Sequence, residues 1–187
     1  DELNPFKSIE FGDSSEDVIF NSNGSWASGN ILKFVKVTGG GDNANGTIIF
    51  ASSTGLIENS TISNSNSSGI HLYKNTSHVN NGMWGGSSSS LKSVHVISSE
   101  ILSNSSNGFN CSCYQYNVGI IITDSKLNYN IGSGFISGGG DSGGSHDFKI
   151  VNNEFSFNGS YGYGGLTNGV QFVKGNRITN NGGSGIS

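Results

Sequence analysis

Six apolar residues recur along this chain at nearly regular intervals: Val37, Ile62, Leu102, Leu127, Phe155 and Ile178, spaced by 25, 40, 25, 28 and 23 residues. Five positions before them stand Leu32, Ile57, Ile97, Ile122, Ile150 and Val173, again all apolar. Three positions before them stand Phe34, Asn59, Ser99, Asp124, Asn152 and Gly175, mostly small or polar. Seven positions after them Gly69, Gly134, Gly162 and Gly185 line up, with Gly108 one residue early. An apolar residue follows each glycine: Ile70, Phe109, Phe135, Tyr163 and Ile186. Self-similarity at a fixed period of about 25 residues marks a repeat architecture, in which each unit is one supersecondary element.

The unit reads Ile-x-Asn-x-x-Ile-x-Asn, then a polar stretch, then Gly-Ile. Its apolar runs, such as Ile48-Ile49-Phe50, Val94-His95-Val96-Ile97 and Ile120-Ile121-Ile122, are strand-length, and no window carries a helical period. One such unit cannot bury its apolar face alone. Stacking copies at about 4.8 Å pairs every strand with those above and below and turns the apolar columns into a continuous core. Glycine is expected at tight corners with positive φ, and asparagine at turns that bond to their copies in neighbouring coils. The chain is therefore expected to be all-β, a single-stranded right-handed parallel β-helix of about six to seven coils of roughly 25 residues. Residues 1–187 are read as one domain, and the long spacing places a loop insertion at 74–90, around Trp84. Shorter bulges are expected at 112–118 and 137–145.

With a stacked Asn at its second turn, the pattern resembles the parallel β-helix repeats of the pectin-lyase-like superfamily over nearly the whole chain. The resemblance speaks for fold only. That fold carries lyases, hydrolases, epimerases, adhesins and structural proteins, so function has to be argued from particular residues.

In pectinolytic members of such a superfamily the substrate lies along one strand face, and the Gly-Ile strands correspond to that face here. Alternation sends Ile70, Leu72, Phe109, Cys111, Cys113, Phe135 and Tyr163 inward. It leaves His71, Asn110, Ile136 and Gly164 as the outward column, flanked by Tyr73 and Ser112. A lyase of this fold needs a carboxylate cluster for Ca²⁺ and a basic residue, and a hydrolase needs paired carboxylates. The column holds no acid, so no catalytic role, cofactor or metal is expected. Asp124 reads as a substitute for a turn Asn, and Asp141 and Asp147 as solvated charges beside a Gly-Ser loop. His71, His78, His95 and His146 lack metal-ligand spacing. No helix follows Gly39-Gly40-Gly41-Asp42 to make a phosphate site. Cys111 and Cys113 share one strand face, as stacked buried thiols first and as a strained disulfide second.

Charged residues make up 12% of the chain, the net charge is -4, and Arg177 is the one arginine, which speaks against nucleic acid as a partner. No apolar run approaches the roughly 18 residues of a membrane span, so membrane insertion is not expected. Sequons stand at Asn23, Asn45, Asn59, Asn66, Asn75, Asn104, Asn110 and Asn158, and the chain begins at Asp1 without an initiating Met, as a processed or excised start would. Together with a last repeat that breaks off at Gly-Ile and shows no cap, these features point to an extracellular or cell-surface glycoprotein. Its subunits are expected to stack head to tail, each partnered by itself and by attached glycans, into a filament or surface layer. The alternative is a carbohydrate-binding or adhesive module of a larger surface protein, using Tyr73, Trp84 and Tyr114. A lyase or hydrolase built on Asp141 or Asp147 ranks below both.

Overall fold

A computed structural model describes residues 7–10, 18–21, 30–41, 46–51, 54–73, 93–112, 118–138, 146–165 and 170–187. The strands come round in threes. The first coil carries β1 (Lys7–Glu10), β2 (Val18–Asn21) and β3 (Asn30–Lys33). The next carries β4 (Val35–Thr38), β5 (Gly46–Ala51) and β6 (Gly55–Glu58), followed by β7 (Thr61–Ser63), β8 (Ser68–Tyr73) and β9 (Ser93–Ile97). Then come β10 (Glu100–Leu102), β11 (Phe109–Ser112) and β12 (Val118–Thr123), and after them β13 (Lys126–Asn128), β14 (Phe135–Ser137) and β15 (His146–Val151). The last full set is β16 (Glu154–Ser156), β17 (Tyr163–Gly164) and β18 (Gln171–Lys174), and β19 (Arg177–Thr179) opens another. Every third strand joins the same parallel sheet: sheet I holds β1 and every third strand to β19, sheet II β2 to β17, sheet III β3 to β18. The chain is thus all-β, three parallel sheets stacked as a β-solenoid. Among the described residues no helix is long and apolar enough to cross a membrane.

Inward side chains stack in columns. Sheet I contributes Val37, Ile62, Ile101, Leu127, Phe155 and Ile178; sheet III contributes Leu32, Ile57, Val96, Ile122, Ile150 and Val173. Two positions of the expected repeat are corrected here: Ile101 rather than Leu102 is the buried member, and Val96 rather than Ile97. Both are adjacent apolar pairs, so composition does not choose between them, and a one-residue slip moves a strand's whole set to the other face. With Ile101 as the anchor, Gly108 falls into line with the other glycines. The coil-to-coil offsets at one corner are 25, 39, 26, 28 and 23 residues. The surplus of the longest lies between β8 and β9, and the expected insertion at 74–90 lies outside the described residues.

The glycine column is also explained differently. Gly69, Gly108, Gly134, Gly162 and Gly185 are absent from the positive-φ positions. They are glycines because the next coil leaves no room: a Cβ on Gly108 would stand 2.5 Å from the Gly134 carbonyl oxygen, and one on Gly134 2.6 Å from that of Gly162. The left-handed corners are instead occupied mostly by other residues. Phe34, Asn59, Ser98, Asp124, Asn152 and Gly175 enter sheet I with φ between 47° and 69°. Gly39, Asn64, Ser103, Tyr129, Phe157 and Asn180 leave it with φ between 54° and 80°. Left-handed backbone costs a non-glycine residue roughly 1–2 kcal/mol, so these corners need outside support.

Two side-chain ladders supply it, each one residue beyond a left-handed corner. At the entry corner the backbone N–H groups of Val35, Ser60, Ser99 and Ser125 donate to Ser60 Oγ, Ser99 Oγ, Ser125 Oγ and Asn153 Oδ1 of the following coil (3.2, 3.2, 3.1 and 2.9 Å). At the exit corner Asn104, Asn130, Asn158 and Asn181 form a buried amide stack. Asn104 N and Nδ2 both donate to Asn130 Oδ1 (3.2 and 2.8 Å), Asn130 N and Nδ2 to Asn158 Oδ1 (3.1 and 3.0 Å), and Asn158 N and Nδ2 to Asn181 Oδ1 (both 3.0 Å). Inside, Phe135 lies edge-on to Phe109 and Phe148 and stacks on Tyr163. Each fully buried side chain of this kind contributes about 1.5–3 kcal/mol.

Candidate functional site

The outer face of sheet II is where a groove along the Gly-Ile strands was expected. In β8 and β11 alternation places Ile70, Leu72, Phe109 and Cys111 inside and His71, Tyr73, Asn110 and Ser112 outside. His71 faces outward yet is only 7% exposed. It sits in register between Ile49 and Asn110, and its ring lies 5.1 Å from that of Tyr73. Nε2 is hydrogen-bonded to Ser112 Oγ at 3.1 Å, whereas Nδ1 is buried with no partner among the described residues. Burial pushes the imidazole down to about 4, so it is neutral at physiological pH.

A serine hydroxyl on a histidine nitrogen is the first contact of a nucleophile–base pair. Among the described residues no carboxylate holds Nδ1, and desolvation opposes the imidazolium that a general base must become. Loss of the acid from such a triad costs about 10⁴ in rate. The sequence places Ser112 on the outward face beside the column but gives it no role. The usable signal is that it stands four residues after Gly108, as Tyr73 stands four after Gly69.

A second feature lies at the exit corner. Tyr129 and Phe157 occupy left-handed positions that asparagine fills at 64 and 180. Their rings stack with centroids 5.0 Å apart and planes 2° from parallel. Both rings are exposed, Tyr129 by 57% and Phe157 by 46%, with Ile131 beside them at 71%. Two bulky residues in strained backbone, presenting a stacked pair to solvent, are a functional candidate by the usual route from outlier to role.

The outer face of sheet III carries a shallow groove lined by Ser93, Ile121, Asp147, Lys149 and Phe172. His95 Nε2 is hydrogen-bonded to Ser93 Oγ at 2.8 Å, and burial followed by the Lys149 charge lowers its pKa. Asp147 Oδ1 accepts the Val170 N–H at 2.8 Å. Asp124 lies on the left-handed corner and accepts from Asn152 Nδ2, one residue short of the buried ladder position that Ser125 takes. Among the described residues no three His, Cys, Asp or Glu side chains converge. Cys111 is buried in the core, while Cys113, His78, Trp84, Tyr114 and Asp141 lie outside the described residues.

The sequons divide. Asn104 and Asn158 are buried in the amide stack, at 0% and 2% exposure. Asn66 is exposed, and Asn59 and Asn110 are half-buried. Asn23, Asn45 and Asn75 lie outside the described residues. No family model, no curated protein and no solved structure matches this chain.

Proposed function

We propose that the chain is a non-catalytic structural β-solenoid of the pectin-lyase-like kind, secreted or displayed at the cell surface, glycosylated, and assembled with further copies of itself into a filament or surface layer. The observation that carries this reading is the sameness of the bonds between coils. From Val35 on, each coil donates to the next through the same corner positions in the same direction, a bond pattern that a further coil carrying such acceptors would extend. Contacts of that head-to-tail kind do not close and generate filaments. The outer face of sheet II supports a role without catalysis, since its column runs His71, Asn110, Ile136 and Gly164. Electron microscopy and fibre diffraction of native material test the proposal. Filaments with a meridional reflection near 4.8 Å are expected; discrete monomers would overturn it.

A carbohydrate-binding or adhesive module is the second reading, and the exposed Tyr129–Phe157 stack favours it. Of the aromatics first considered for that role, Tyr73 packs on His71, and Trp84 and Tyr114 lie outside the described residues. Glycan-array binding that is lost in a Tyr129→Asn/Phe157→Asn double variant, with the fold retained, would support it; no binding by the unaltered chain would dismiss it.

A further inference from the structure

The two classes of sequon differ in what their amides already do. N-linked transfer needs a free Nδ2: the nitrogen attacks the anomeric carbon of a polyprenyl-pyrophosphate-linked oligosaccharide, the C–O bond to pyrophosphate breaks, and nitrogen loses one proton. In Asn158 both Nδ2 hydrogens are engaged, by Leu127 O at 2.9 Å and by Asn181 Oδ1 at 3.0 Å. A Cβ placed on Gly134 would stand 3.0 Å from that nitrogen, so no passage leads outward past it. In Asn104, Nδ2 donates to Asn130 Oδ1 at 2.8 Å, and Oδ1 accepts the Ser65 N–H at 3.0 Å. Gly69 closes over that amide as well, since a Cβ there would stand 2.7 Å from Nδ2. A sugar on either residue would expel its side chain from the ladder and leave several buried backbone groups without partners.

Asn59, Asn66 and Asn110 have no such employment. Among the described residues Asn66 bonds through its backbone, its N–H donating to Gly40 O at 2.8 Å, and it is exposed. Asn59 occupies a left-handed corner and is half-buried. Asn110 stands on the outer face of sheet II between His71 and Ile136.

We infer that N-glycans occupy Asn59, Asn66 and Asn110 and are excluded from Asn104 and Asn158. Beyond β11 the only sequon is Asn158, so decoration ends there and the later coils, with the Tyr129–Phe157 corner, stay bare. The inference rests on the proposed glycoprotein reading, but it is tested separately. The full chain is secreted from a glycosylating host, the soluble folded fraction is isolated, and occupancy is mapped on glycopeptides after enzymatic release in heavy-oxygen water. Label is expected at Asn59, Asn66 and Asn110 and not at Asn104 or Asn158. Asn66→Gln should lower the intact mass by one glycan. Ser106→Ala and Ser160→Ala, which abolish the two ladder sequons without touching their asparagines, should leave the mass of the folded fraction unchanged apart from the substituted atoms. Label on Asn104 or Asn158 in folded protein, or none on the other three, would overturn the assignment. Native material without glycans alongside the expected host pattern would instead defeat the glycoprotein reading and leave the site assignment standing.

Discussion

The two corners that bracket sheet I do the same job with different chemistry. At the entry corner the early rungs are serines. Each Oγ accepts one N–H from the coil before it and donates back within its own coil, as Ser99 Oγ does to Ile97 O at 2.8 Å. At the exit corner the rungs from Asn104 onward are asparagines. Asn130 accepts two donors from Asn104 and sends Nδ2 both back to Ile101 O and on to Asn158 Oδ1. A hydroxyl therefore ties two coils by one bond per rung, and an amide ties three consecutive coils by several. The entry corner itself changes along its length: Asn153 and Asn176 take over from the serines, with Asn153 Nδ2 reaching Ile122 O at 2.8 Å and Asn176 Oδ1 at 3.0 Å. The later coils are thus amide-tied at both corners, the middle ones at the exit corner alone, and the coils of Val37 and Ile62, whose exit-corner rungs are Gly40 and Ser65, at neither.

That contrast is most directly broken at Asn130. Asn130→Ala deprives the buried Asn104 and Asn158 of partners, so a loss of about 3 kcal/mol or more is expected by denaturant unfolding. A loss under about 1 kcal/mol would mean the amide stack is not what ties the coils. Neither ladder titrates, so acid sensitivity is expected from the histidines held neutral by burial, His71 and, on the outer face of sheet III, His95. The folded value of His71, about 4, lies below the ordinary 6.5. The unfolded chain therefore binds the proton first as pH falls. Stability is complete above about 6.5 and declines toward pH 4 by about 3 kcal/mol in all. In His71→Gln this acid limb should flatten, which urea titrations at pH 7 and pH 4.5 would show.

The serine corner should respond less. Ser99→Ala is expected to cost about 1 kcal/mol, and Ser99→Asn, which imports the chemistry of the other corner, should lose less than Ser99→Ala or gain. Last comes the outer face of sheet I, where Lys126 Nζ meets Glu100 at 2.8 Å with both side chains well exposed. Glu100→Gln should shift stability by no more than about 0.5 kcal/mol, and less at high salt.

Much of this architecture can be read from the sequence, because stacking forces apolar residues into columns. The column of sheet I is legible at Val37, Ile62, Leu127, Phe155 and Ile178, that of sheet III at Leu32, Ile57, Ile122, Ile150 and Val173, and the alternation in β8 and β11 throughout. What misled was local. Val96-Ile97 and Ile101-Leu102 are apolar pairs beside the longest coil, where counting from either side loses a residue. The early position of Gly108 was the clue to the slip. The glycine column looked like corners but marks backbone packed against backbone, a cause no single repeat displays. The left-handed phenylalanine and tyrosine were invisible because such residues ordinarily avoid that region. The candidate site was less legible. His71 and Ser112 lie 41 residues apart, across the longest coil, and a serine in a chain so rich in serine attracts no notice. The sequons carried no sign of burial, since Asn104 and Asn66 differ only in where the coil turns them.

Solvent exchange of the asparagine side-chain amides, followed by NMR on assigned protein, tests the ladder most directly. Slow exchange of the Asn104, Asn130 and Asn158 Nδ2 hydrogens is predicted, against fast exchange for Asn59, Asn66 and Asn110. Fast exchange of all six would show that the amide stack does not bind the coils together.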